Sequence, residues 1–93
     1  MIKSFADRET KKFFQTGKSR KVPDTIHKAA LRKLDYLNAA ASLDDLRVPP
    51  GNMLEALTGD LKGKYSIRIN QQYRIVFAFE KGDAYDVSIM DYH

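Results

Sequence analysis

The sequence predicts an α+β domain in which two N-terminal helices cover one face of a three- to four-stranded antiparallel sheet. Two observations carry this. Up to position 41 the apolar residues recur every three or four places, and beyond Gly51 they alternate with polar ones. Between the two regimes stands Pro49-Pro50-Gly51, which ends any helix.

The first helix is expected to open at Ser4-Phe5-Ala6-Asp7, which has capping-box spacing, and to stop at Gly17 after Phe13 and Phe14. A basic loop, Lys18 to Lys21, follows. Pro23-Asp24 then opens a longer helix with Ile26, Ala30, Leu34, Leu37 and Ala41 on its apolar stripe. His27, Lys28, Arg32 and Lys33 are expected to face mostly solvent. Ser42-Leu43-Asp44-Asp45 repeats the capping signal for a short turn. A short strand is expected from Met53 to Leu57. Tyr65, Ile67 and Ile69 alternate with Ser66, Arg68 and Asn70, and Tyr73, Ile75, Phe77 and Phe79 alternate with Arg74, Val76 and Ala78, giving two more strands. Lys81-Gly82-Asp83 turns the chain into a last strand, with Val87 and Ile89 towards the core and Ser88, Met90 and Tyr92 away from it.

With 93 residues, 43% hydrophobic and 30% charged, the chain has material for one core, so residues 1–93 are expected to form a single domain. It offers no run of eighteen apolar residues and no apolar signal-peptide segment, so membrane insertion and export are not expected. Zero cysteines exclude disulfides, thiolate metal sites and a cysteine nucleophile; a cytoplasmic location fits. His27 and His93 are far apart and show no metal-ligand spacing. Charge is uneven. Residues 1–33 carry ten Lys and Arg against three acids, whereas residues 34–61 carry one against five. Such a basic region suits a polyanionic partner, and equally a solvated lysine-rich surface. Strand parity leaves the second sheet face open, with Ser66, Arg68, Arg74, Ser88 and Tyr92 on it. Either the two arginines and the tyrosine make a floor for RNA, or Arg68 and Arg74 make cross-strand ion pairs with Glu80 or Asp86.

Glu55-Ala56-Leu57-Thr58-Gly59, then Gly63-Lys64-Tyr65-Ser66-Ile67-Arg68-Ile69-Asn70 and Tyr73-Arg74-Ile75-Val76-Phe77, resembles the RelE/ParE superfamily of bacterial toxins. The opening Met1-Ile2-Lys3-Ser4-Phe5, Pro49-Pro50-Gly51-Asn52 and Asp91-Tyr92-His93 look most like its HigB branch. The resemblance implies a RelE-like, microbial-ribonuclease type of fold and a ribosome-dependent mRNA endoribonuclease that uses no metal or other cofactor. It implies as partners a HigA-like helix-turn-helix antitoxin, the ribosome and mRNA, with operator DNA reached only through the antitoxin. HigB proteins carry a histidine and a lysine where this chain has Glu55 and Thr58. The chain is similar instead to YoeB-type toxins there, which implies Glu55 as general base and His93 as general acid. Arg74 matches the phosphate-stabilising arginine of both branches, and Tyr92 a tyrosine that stacks or orients. Asp91 is either a second base or an orienting group for His93 or Arg74. Arg68, Lys62 and Lys64 are expected as further phosphate contacts, and Lys18, Arg20 and Lys21 are expected on ribosomal RNA. The same superfamily contains ParE-like noncatalytic gyrase inhibitors, and a plain nucleic-acid-binding module would share the charge. Asp91-Tyr92-His93 favours the nuclease.

Overall fold

The computed structural model describes residues 1–91; Tyr92 and His93, two of the candidate site residues, lie outside the described residues. Helix α1 spans Arg8–Thr16, and its cap is Asp7. The Asp7 carboxylate accepts from the Thr10 amide at 2.7 Å and from the Thr10 hydroxyl at 3.0 Å. That hydroxyl in turn accepts from the Ile89 amide at 3.3 Å, so the cap also ties the helix to the sheet. The expected cap at Ser4 lies three residues too early. Ser4 forms a different bond, its hydroxyl accepting from the Asp86 amide at 2.9 Å. Gly17 ends the helix as expected, at φ 77°, its N–H donating to the Phe13 carbonyl.

A 3-10 turn, Asp24–Ile26, leads into α2, His27–Ala39. Ile26, Ala30, Leu34 and Leu37 are buried, and the stripe closes on Ala40 rather than the exposed Ala41 because the chain turns extended at Ala40. Two polar residues expected in solvent are not there. Lys33 is only 6% exposed, its Nζ donating to Asn52 Oδ1 and lying 5.5 Å from the centre of the Tyr36 ring. Asn52 is fully buried and donates to the carbonyls of Leu46 and Val48, so this pair pins the 3-10 turns Leu43–Arg47 and Pro50–Asn52 to α2. Burial, with Arg32 adding like-charge repulsion, holds the Lys33 pKa below its ordinary value. His27 is half-buried on the Phe13 ring and donates from Nε2 to the Val22 carbonyl at 2.7 Å. A carbonyl only accepts, so the proton sits on Nε2.

Four strands follow in spatial order β1-β2-β3-β4, every pair antiparallel. They are β1 Glu55–Ala56, β2 Tyr65–Arg68, β3 Tyr73–Glu80 and β4 Asp83–Asp91. The first is shorter than expected, since Met53 takes a left-handed conformation at φ 46° and breaks the extended run. Lys81 and Gly82 both have positive φ, the geometry whose twist matches a two-residue hairpin. A register shift between Val76 and Ala78 accommodates an extra residue on β4 near Asp86, itself at φ 52°. Alongside β4 runs the N-terminal segment, pairing in parallel at Ile2 with Ala84 and at Phe5 with Val87. This strap covers a sheet edge that would otherwise present unpaired amides.

Phe13, Leu34, Leu37, Ile67, Ile75, Phe77 and Val87 are completely buried between the helices and one sheet face. The α+β architecture is therefore the expected one. The other face differs from the expected open floor. Ser66, Arg74, Val76 and Ser88 are all buried there. In register, Ser66 and Ser88 flank Val76, and these short side chains sit beside the long ones of Arg68, Arg74 and Met90. Among the described residues no helix is long and apolar enough to cross a membrane.

Candidate active site

Strand pairing sets Glu55 opposite Ser66 and Arg68 opposite Arg74, so these four side chains share the face away from the helices. Arg74 lies down on that face. Its Nε donates to Ser66 Oγ at 2.7 Å and its Nη2 to the Met53 carbonyl at 2.6 Å. Glu55 Oε2 stands 4.0 Å from the same Nη2, the arginine side chain being 10% exposed and the glutamate 53%. The carboxylate thus reaches solvent while the guanidinium is fixed beneath it.

Arg68 is held differently. Its Nε donates to the Asn70 carbonyl at 3.1 Å and its Nη1 to the Met53 sulfur at 3.2 Å. The Asn70 side chain accepts from the amides of Gln72 and Tyr73 at 2.8 and 2.7 Å, which stiffens the β2–β3 turn carrying that carbonyl. Among the described residues no carboxylate comes within ion-pair distance of Arg68. Neither arginine pairs with Glu80 or Asp86, so the cross-strand ion-pair alternative is not what forms. Arg68 is oriented by neutral acceptors and Arg74 by neutral acceptors together with the nearby Glu55 carboxylate, and an anionic tetrahedral group is the ligand such a pair of guanidiniums suits.

The remaining candidates divide between this face and the rest of the surface. Lys62 is exposed and Lys64 half-buried, both in the β1–β2 connection next to the strand of Glu55. Asp91 pairs with Tyr73, which turns it to the opposite face from Arg74; Gln72 Nε2 donates to it at 3.0 Å. It lines a groove of about 500 Å³ that also takes Asp7, Glu9 and Lys21. Lys18 and Arg20 line a separate groove of about 830 Å³ with Lys12 and His27, so the basic loop serves two surfaces. Among the described residues no group of three or more His, Asp or Glu side chains gathers where it could hold a metal ion.

Sequence patterning missed Met53 and Asn70. Nothing in Pro50-Gly51-Asn52-Met53 marks a methionine for positive φ, a conformation that glycine or asparagine would ordinarily supply. Asn70 had a signal: an asparagine in a tight inter-strand connection commonly bonds its own backbone two residues on.

Residues 3–93 match a family described as RelE-like toxin of type II toxin-antitoxin system HigB. The chain is 45% identical over 85 residues to Toxin HigB-1 of Vibrio cholerae serotype O1, covering 90% of each. It is 33% identical over 93 residues to Endoribonuclease HigB of Proteus vulgaris, covering all of both. In fold it is similar to a chain of the YoeB-YefM complex from Staphylococcus aureus, with a TM-score of 0.62 at 17% identity over 100% of this chain and 98% of that one.

Proposed function

The chain belongs to the HigB toxins, RelE-like toxins of type II toxin–antitoxin systems, and from that premise we propose that it is an endoribonuclease that cuts mRNA on the ribosome. The observation that carries the reading is the half-exposed Glu55 carboxylate standing over the clamped Arg74 guanidinium. A proton acceptor and a fixed cation 4.0 Å apart are what internal phosphodiester cleavage requires at one end of the reacting group. Glu55 takes the proton of the RNA 2'-hydroxyl, and the freed oxygen bonds to the adjacent phosphorus. Arg74 and Arg68 bear the charge that accumulates on the non-bridging oxygens. The bond from phosphorus to the 5'-oxygen then breaks, His93 supplying the proton that the leaving oxygen needs. Base, acid and cations are all side chains, and the nucleophile is the substrate's own.

Glu55 is assigned as base in preference to Asp91 because Asp91 sits on the other sheet face, where an orienting role suits it better. Tyr92 stacks on or orients an unpaired base, and Lys62 and Lys64 contact neighbouring phosphates. Lys18, Arg20 and Lys21 face ribosomal RNA, placing the enzyme without touching the scissile bond. Family membership supports a co-expressed antitoxin as the neutralising partner; we assign it the helix-turn-helix type, with operator DNA bound through it.

The test is to incubate the purified toxin with mRNA, with and without translating ribosomes, and to map the new 5' ends. Cuts that appear only on ribosomes, leaving 5'-hydroxyl ends, are expected. Equal cutting of naked RNA would overturn the ribosome requirement, and intact mRNA under both conditions would overturn the nuclease.

A further inference from the structure

Met53 touches both arginines of the site. It closes the 3-10 turn Pro50–Asn52, its N–H donating to the Pro50 carbonyl at 3.1 Å, with φ 46° and ψ 56°. This left-handed conformation is unusual for a side chain of its size. In it the Met53 carbonyl accepts from Arg74 Nη2 at 2.6 Å while its sulfur accepts from Arg68 Nη1 at 3.2 Å. The two arginines face each other in register across β2 and β3, where like charges repel. A tie from a third element opposes their splaying. We propose that Met53 is a positioning residue that sets the spacing and orientation of the Arg68–Arg74 pair for an RNA phosphodiester, through its carbonyl on Arg74 and its thioether on Arg68.

The choice of sulfur has a chemical reason. A carboxylate at this position would hold Arg68 more firmly but would neutralise it and compete with the incoming phosphate. A thioether is a weak, uncharged acceptor, so it orients the guanidinium and yields it to a stronger anion. Met53 is 53% exposed and is not part of the packed core, which leaves it little to do as filler. The proposal deepens the endoribonuclease reading and rests on it for its substrate.

Two substitutions separate positioning from packing. Met53→Leu keeps apolar bulk and the backbone carbonyl but removes the acceptor, whereas Met53→Gln restores an acceptor at similar reach. Each is followed by two measurements: nitrogen NMR of Arg68 rotation about the Nε–Cζ bond, and single-turnover cleavage of ribosome-bound mRNA. For Met53→Leu we expect faster Arg68 rotation and a cleavage rate down about tenfold at saturation, with KM and thermal midpoint little changed. Met53→Gln should recover both. Wild-type rotation and rate in Met53→Leu would overturn the proposal, as would a Gln variant that loses activity while Leu retains it. A wild-type protein that cuts nothing, in which Met53→Leu still frees Arg68, would keep the positioning role and overturn the nuclease.

Discussion

Replacing Glu55 by Gln should stop the chemistry while leaving the fold almost untouched, because the two effects differ in size by several kcal/mol. Gln keeps the shape and a carbonyl oxygen, but it cannot take up a proton at neutral pH. At 4 Å a pair of unit charges interacts by about 1 kcal/mol in water and by about 4 kcal/mol at an effective dielectric of 20. The Glu55 side chain is 53% exposed, so the screened end of that range applies, and double-mutant measurements put such surface pairs at about 0–1 kcal/mol. Arg74 also retains Ser66 Oγ and the Met53 carbonyl. The thermal midpoint should therefore fall by no more than about 4–8 °C, the shift that 1 kcal/mol produces in a domain of this size. Loss of a general base costs about 10²–10⁴ in rate, or about 3–5 kcal/mol of barrier. Removing the neighbouring negative charge also leaves Arg74 freer to hold phosphate, so KM should stay level or drop as kcat collapses. Initial rates on programmed ribosomes, set beside thermal unfolding of the same samples, check both halves. Cleavage by Glu55→Gln at the wild-type rate would refute the base assignment, and a rate loss matched by unfolding would refute the separation of chemistry from stability.

Three other outcomes are expected. Lys33→Met leaves the buried Asn52 Oδ1 without its donor and should cost about 1–3 kcal/mol in urea unfolding. Because the folded protein lowers the Lys33 pKa, it binds fewer protons than the unfolded chain as pH approaches 10.5, so the stability advantage of wild type over Lys33→Met should grow with pH in that range. Reversing Lys18 and Arg20 together should weaken ribosome binding and flatten its salt dependence by up to about two phosphate contacts, whereas reversing Lys21, which lines the other groove, should do less; titration at several salt concentrations decides. His93→Ala should slow cleavage of ordinary RNA yet recover on a substrate whose leaving 5'-oxygen is replaced by sulfur, since a thiolate departs without an acid; equal slowing on both substrates would remove His93 from that role.

Periodicity made the helices and strands readable because each element buries one face, and burial imposes its repeat on the residue types. The same logic placed Ser66, Arg68 and Arg74 on one side, whereas Glu55 joins them only through the observed pairing of the short β1 with β2. The pairing of Asp91 with Tyr73 turns that carboxylate the other way. Lys33 shows a different kind of miss. It stands three residues after Ala30 and four before Leu37, squarely on the buried stripe, and its charge alone suggested solvent. What made burial tolerable was Asn52, nineteen positions away and beyond the reach of any local pattern. Capping erred for the opposite reason: Ser4 and Asp7 are both good caps, and only the tertiary partners Asp86 and Ile89 decide which one serves. Met53 was illegible because the left-handed turn is imposed by the fold around it, in a residue type that carries no such preference.

The strap along β4 bears on the order in which the chain assembles. The bond from the Asp86 amide to Ser4 Oγ joins residues 82 positions apart, and the amides of Lys3, Ala6, Ala84 and Val87 are all satisfied across the same span. Closing so long a loop early is entropically unfavourable, whereas the β3–β4 hairpin needs only its two-residue turn. The hairpin is therefore expected to form first and serve as the template, with the strap docking after the folding barrier is crossed. Interactions made on the downhill side of a barrier govern how fast a structure comes apart rather than how fast it forms. Ser4→Ala should accordingly hasten unfolding while leaving the folding limb of the chevron in place. By this account the strap acts as a kinetic latch on a sheet that is already built.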